Sequence, residues 1–330
     1  MIEFNITFRS NNKYEKNMEQ LKYHQLGHKI CCIDTQYIRP GLASCYLIEQ
    51  NGHAAFIDTG TNFTAPLLLE LLKIKQIPPE NVDFIIPTHI HLDHAGGAGK
   101  LMQLFPNAQL IIHPRGARHM IDPSRLQAGA SAVYGESEFK KQYGDLIPID
   151  EQRITEADDG FRIHFQGREL TFIDTPGHAK HHFCIVDKTS KGLFTGDTFG
   201  VAYPELTVNG QPFIFPPTSP IDFNPEDWLK SIDTLMATHS ERAYLTHFGM
   251  VENLKPLADS LRQRIQIFTE LAKQSPSKDA LESNIKKYLI DEIKSTGCLL
   301  SEENLFKILA LDIDLITQGL SVWLEKSTAK

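Results

Sequence analysis

The chain has 330 residues, 41% hydrophobic and 22% charged, ordinary for a soluble globular protein and enough for one large domain or two. Its formal net charge of −8, from 33 basic against 41 acidic residues, argues against a nucleic-acid groove as the main surface. No run of about 18 apolar residues occurs, which argues against a membrane span, and Met1-Ile2-Glu3-Phe4-Asn5 lacks the basic-then-apolar pattern of a signal peptide. Five cysteines, Cys31, Cys32, Cys45, Cys184 and Cys298, are odd in number and lack Cys-x-x-Cys spacing. They read as buried reduced thiols in a cytoplasmic protein rather than as a disulfide framework.

Residues 1–22 are polar and weakly patterned, and are expected to be a loosely attached segment. The first strands are expected at Ile30–Ile33, Ser44–Ile48 and Ala54–Ile57, the last two joined through the hairpin signal Asn51-Gly52. Asp58 stands at the end of the third. A helix should follow, with Thr64 as N-cap, Pro66 in its first turn and an apolar run from Leu67 to Leu72. Val82–Ile86 reads as a buried strand, and it leads into Pro87-Thr88-His89-Ile90-His91-Leu92-Asp93-His94-Ala95-Gly96-Gly97. Four ligand-type side chains in the pattern His-x-His-x-Asp-His thus sit on a loop past a strand end, where α/β folds place their chemistry. His89 and His91, two apart, can serve one metal, and Asp93 with His94 a second nearby. A polar loop with solvated histidines is the bland alternative, which four ligands at this spacing overrule. Gly96 and Gly97 should permit a tight turn into a short helix over Leu101–Phe105.

After a strand at Leu110–Ile112, His113 to Pro148 shows no strong periodicity and reads as a long binding loop or lid containing Arg115, Arg118, His119 and Arg125. His113 and His119 are expected at the wall of the site or the surface rather than on a metal. Strands at Leu170–Ile173, Phe183–Val186, Gly192–Thr195 and Ala243–Leu245 follow, and three of them precede the ligand-type residues His178, Asp197 and His247. One of His181 and His182 should support the ligands, and neither should bind metal. Tyr203 is a candidate oxyanion donor, with packing as the alternative. Gln211–Pro217 is apolar and too proline-rich for a helix, so it lines a pocket or covers the core.

Beyond His247 the pattern becomes helical. Leu257, Leu261, Ile265 and Phe268, then Leu281, Ile285, Tyr288 and Leu289, recur at helical spacing. Gly297 marks a stop and Ser301-Glu302-Glu303 a new start before Leu305, Ile308, Leu309 and Leu315. This gives a catalytic domain over residues 23–255 and an all-helical extension over 256–330. The extension shapes the entrance, forms a homodimer contact, or simply caps the rest.

Taken in order, His89, His91, Asp93, His94, His178, Asp197 and His247 resemble the ligand pattern of the metallo-β-lactamase superfamily over roughly residues 25–250. Thr175-Pro176-Gly177-His178 and Phe194-Thr195-Gly196-Asp197-Thr198 are similar to the glyoxalase II branch, although 84 residues separating His94 from His178 is long for it. The resemblance implies an α/β fold, a four-layer αβ/βα sandwich with the metal cleft at one edge of the two sheets. It implies that His89, His91 and His178 hold one metal, that Asp93, His94 and His247 hold the other, and that Asp197 bridges them. Asp58 matches the aspartate that orients the ligand loop.

Two divalent metals about 3.5–4 Å apart can share a hydroxide whose parent water has its pKa lowered towards roughly 7. Asp93 would shuttle the proton as a catalytic residue, with Tyr203 as the candidate donor to the oxyanion. The expected function is therefore hydrolysis of a small-molecule ester, thioester, lactone or phosphodiester, with two divalent metals, zinc (Zn2+) foremost and iron or manganese as alternatives. Alternatives are a mononuclear iron sulfur dioxygenase, a ribonuclease of the same superfamily, and a metal-binding protein without catalysis. Net charge and the lack of room for a nucleic-acid clamp argue against the ribonuclease. The substrate depends on pocket loops rather than on ligands and stays open.

Overall fold

A computed structural model describes residues 21–328. Apart from Leu21 and Lys22, the N-terminal segment expected at residues 1–22 lies outside the described residues. Seven strands lie side by side in chain order in the first sheet: β1 (Tyr23–Gln25), β2 (Ile30–Asp34), β3 (Ser44–Gln50), β4 (His53–Ile57), β5 (Val82–Ile86), β6 (Gln109–Ile112) and β7 (Ile154–Glu156). The first four pair antiparallel and the rest parallel. The switch follows from the connections. Asn51 and Gly52 both take positive φ, as a two-residue hairpin between twisted strands requires. From β4 onward, longer crossovers carry helices, which permits parallel pairing.

The first crossover holds α1 (Ala65–Ile74), with Pro66 in its first turn. Thr64 occupies the N-cap position but its side chain makes no cap bond there. Instead Thr61 caps a preceding 3-10 turn, and Thr64 Oγ1 accepts from Thr61 N at 3.2 Å. The ligand loop holds α2 (Leu92–Ala95) and leads to α3 (Ala98–Leu104). Leu68, Leu71 and Leu72 of α1 and Leu101 and Met102 of α3 bury against Phe56, Ile85 and Leu110.

The expected loop from His113 to Pro148 is helical instead. It forms α4 (Pro114–Ile121), α5 (Ser124–Tyr134) and α6 (Glu136–Tyr143). The helices are short, and α5 has an alanine-rich sequence interrupted by Gly129, so no apolar stripe announces them. Local signals were nonetheless present. His113 accepts from Arg115 N at 3.1 Å ahead of Pro114 at the first helical position. Phe139 and Tyr143 bury against Leu92, and the Tyr143 hydroxyl bonds that of Tyr37 at 2.6 Å.

The second sheet runs β13 (Gly249–Glu252), β12 (Arg242–Leu245), β11 (Gly192–Gly196), β10 (Phe183–Asp187), β9 (Arg168–Asp174) and β8 (Arg162–Phe165). Its β11 and β12 are parallel because α7 (Pro225–Ala237) lies between them in the chain. Asn224 caps α7, accepting from Glu226 N and Asp227 N. The helical extension forms α8 (Leu254–Gln274), α9 (Lys278–Ser295) and α10 (Glu302–Thr328), in the same compact unit as strands β10 to β13. Leu257, Leu261, Ile265 and Phe268 are buried as their spacing predicts. Gly297 follows α9 with a φ of +90°. Phe213, Ile214 and Phe215 are buried, so the proline-rich segment covers core. All five cysteines are buried and none is in a disulfide. Among the described residues no helix is long and apolar enough to cross a membrane. Two mixed sheets with flanking helices and a helical C-terminal region fit the expected αβ/βα plan.

Candidate metal centre

The first ligand segment is built on the end of β5 and anchored by Asp58. This carboxylate is wholly buried at the end of β4, where its residue takes a φ of +58°. A buried carboxylate must be hydrogen-bonded, and Asp58 accepts from Thr88 N at 2.7 Å, from Thr88 Oγ1 at 3.0 Å and from His94 Nδ1 at 2.9 Å. With Nδ1–H committed to Asp58, the nitrogen of His94 left to face a ligand is Nε2. The Thr88 hydroxyl, having given its proton to Asp58, accepts from His89 Nδ1 at 3.2 Å, which likewise leaves His89 Nε2 as the nitrogen that could serve a metal. His89 Nε2 and His91 Nδ1 lie 2.8 Å apart, so one ion would take both atoms. Asp93 Oδ2 is 3.6 Å from His94 Nε2, a second converging pair. His89 and His94 are buried; His91 and Asp93 are half-buried.

Thr59 and Gly60 knit this loop down, with Thr59 N and Oγ1 donating to His94 O and Gly97 N donating to Gly60 O. Gly97 matters through this close approach rather than through a special turn. Its φ is −84°, open to any residue, but a Cβ there would fall 2.7 Å from Thr61 O.

The other three expected ligands come from three strand ends of the second sheet. His178 follows β9, Asp197 follows β11 and His247 follows β12. His178 Nδ1 donates to Pro217 O at 2.7 Å, leaving Nε2 facing Asp197 Oδ2 at 3.3 Å. The other carboxylate oxygen, Asp197 Oδ1, faces His247 Nε2 at 3.6 Å. One oxygen towards each imidazole is the arrangement a bridging carboxylate needs. Asp197 N donates to His182 Nε2 at 3.2 Å, so His182 carries its proton on Nδ1, within 2.9 Å of Thr175 Oγ1. His182 therefore supports Asp197, whereas the partly exposed His181 lies 3.9 Å from Asp222.

Gly177 bears a φ of +133°, and a Cβ there would lie 2.4 Å from Trp228 Cα. Trp228 on α7 holds the same region, donating from Nε1 to Thr198 O at 2.6 Å and setting its ring 5.7 Å from that of His178. Trp228, Thr88, Pro217 and Ser219, whose Oγ donates to His178 O at 2.6 Å, are supporting residues that sequence reasoning missed. Asn224-Pro225 was the signal for α7, a cap followed by proline. Nothing in the spacing pointed to Pro217, which acts through its backbone carbonyl, or to Ser219, whose hydroxyl reaches a backbone carbonyl far off in the chain.

Of the remaining candidates, Tyr203 is buried and its hydroxyl donates to Asp312 Oδ1 on α10 at 3.0 Å. That bond ties the donor expected for an oxyanion to the helical extension. His113 caps α4. His119 accepts from Arg118 Nε at 3.2 Å, and partial burial together with the Arg118 and Arg125 charges lowers its pKa. Neither is among the candidate ligand groups of the described residues. All the grouped donors are imidazole nitrogens and carboxylate oxygens, a set that fits a divalent zinc, iron or manganese ion.

Residues 38–247 match the family model of the metallo-β-lactamase superfamily. The chain belongs to this superfamily. A hydroxyacylglutathione hydrolase of Salmonella paratyphi A is 28% identical over 152 residues, 46% of this chain and 45% of that protein. An atrochrysone carboxyl ACP thioesterase of Emericella nidulans is 26% identical over 185 residues, 55% of this chain and 48% of that protein. The chain thus spans about half the length of these two relatives. The crystal structure of a metallo-β-lactamase family protein from Thermus thermophilus superposes with a TM-score of 0.58, covering 87% of this chain and 89% of that one at 19% identity. That likeness bears on the fold alone.

Proposed function

We propose that this superfamily member is a dinuclear metal-dependent hydrolase. His89, His91, His178 and Asp197 would hold one metal and Asp93, His94 and His247 the other, with Asp197 shared. The observation that carries this is the carboxylate of Asp197, with one oxygen towards His178 and the other towards His247. When bound, two divalent ions lower the pKa of a shared water from 15.7 towards roughly 7 and stabilise charge developing on a substrate oxygen. The chain's own residues do the rest. Asp58, His182 and the Pro217 carbonyl fix the tautomer or direction of ligands, so little reorganisation is left for the reaction. Asp93, half-buried, takes up and returns the proton.

Zinc is the proposed metal. The proposed substrate is a small ester, thioester, lactone or phosphodiester, and a thioester is favoured by the names of the two relatives. The test pairs elemental analysis of purified protein with a panel of these four substrate classes. Hydrolysis of at least one, abolished by chelation and restored by zinc, is expected. A protein inert on all four, or one that consumes oxygen on a persulfide with a single iron, overturns the proposal.

A further inference from the structure

Among the described residues the helical extension contributes none of the grouped ligands, yet its last helix is connected to one. His178 is held at two points by a single short segment. Its Nδ1–H donates to Pro217 O at 2.7 Å, and its carbonyl oxygen accepts from Ser219 Oγ at 2.6 Å. Between them Thr218 faces the opposite way, its Oγ1 donating to Ile316 O on α10 at 3.1 Å. Thr218 and Ser219 are both buried. Gly319, one turn further along α10, provides the seat. A Cβ there would fall 2.5 Å from Thr218 Oγ1 and 2.8 Å from Ser219 O, so a larger residue would drive the segment off the helix. The same stretch is tied to α10 again downstream, where Lys326 Nζ donates to Ile221 O at 2.6 Å and Trp323 meets Phe223 edge-on at 6.0 Å.

We propose that Thr218 and Ser219 are positioning residues through which α10 fixes the tautomer and ring direction of His178. The direction of an imidazole lone pair is set by the partner of its other nitrogen. Here that partner is a backbone carbonyl whose own place is set by a helix that lies far along the chain. The helical extension therefore tunes metal affinity without touching the metal. This inference rests on the proposed ligand role of His178.

The test uses the full chain and does not depend on turnover. Thr218→Val keeps the side-chain shape and deletes the donor, Thr218→Ser restores it, and Ser219→Ala removes the second tie. Imidazole NMR of the metal-free protein reads the His178 Nδ1–H, and a zinc titration reads affinity. In the wild type the Nδ1–H is expected as a slowly exchanging, hydrogen-bonded resonance. Thr218→Val and Ser219→Ala should weaken that resonance and lower zinc affinity about 10–100-fold, and Thr218→Ser should return both to wild-type values. Unchanged resonance and affinity in Thr218→Val and Ser219→Ala would overturn the inference, as would failure of serine to rescue. If Thr218→Val does not fold, Ser219→Ala decides. A wild type that binds no zinc refutes the proposed function, while the resonance still decides this inference.

Discussion

Asp58 and Asp197 are both buried carboxylates, and their different surroundings give them different tasks. Asp58 accepts from Thr88 and from His94, so its hydrogen-bonding capacity faces backwards into the loop. Asp58→Ala removes the acceptor of two buried N–H groups. It is expected to cost about 3 kcal/mol of stability and to lower metal affinity about 10–100-fold, read by thermal unfolding and zinc titration. Asp197 turns its two oxygens towards two histidines. Asp197→Ala is expected to lose metal and activity together, because in the proposed dinuclear site a shared carboxylate would offset the repulsion between two ions; full metal content in this variant would refute the bridging role. The thiols make a separate prediction. Burial pushes the Cys32 thiol up to about 12 and Cys45 well above its ordinary value. Both should resist alkylation at pH 8 in the native state and react once the protein is denatured. Because the native state holds these protons when the unfolded chain has released them, the stability they contribute is full below the ordinary thiol value of 9.0 and falls as pH rises towards 12. Thermal midpoints measured from pH 8 to 11 would show that decline.

At the scale of elements, the extension is part of the second unit's structure rather than an appendage. Tyr203 illustrates this, since its hydroxyl is spent on Asp312 of α10. Tyr203→Phe leaves a buried carboxylate oxygen short of a donor and is expected to destabilise by about 1–3 kcal/mol while keeping full metal content and kcat. A large fall in kcat with unchanged stability would return Tyr203 to the active site. The same elements show what a sequence can reveal. Ile30–Ile33, Phe183–Val186 and the other buried strands were legible because a strand buried on both faces is a continuous apolar run. The edge strands β1, β7 and β13 were not, since each has three or four residues with exposed or half-exposed positions. Helices α4 to α6 were hidden by their shortness, and their burial depends on partners such as Leu92 and Tyr37 that lie far off in sequence. The candidate metal ligands, which the structure brings into two groups, were legible because their chemistry is written in residue type. Supports such as Pro217, Thr218 and Ser219 were not, because only the fold brings the Pro217 carbonyl to the His178 ring nitrogen, the Ser219 hydroxyl to the His178 carbonyl and the Thr218 hydroxyl to Ile316 O.

For the whole molecule, the decisive quantity is how many ions the chain holds. The superfamily fold accommodates unrelated chemistries, so membership alone names no reaction. The number of metals discriminates between the hydrolase and the iron dioxygenase, since both use His89, His91, His178 and Asp197 and differ over Asp93, His94 and His247. Metal content per chain, determined by mass spectrometry on the purified wild type and on His247→Ala, is the most direct measurement. About two ions per wild-type chain are expected, zinc foremost, falling towards one in His247→Ala. A single iron per wild-type chain, unchanged by His247→Ala, would contradict the dinuclear hydrolase.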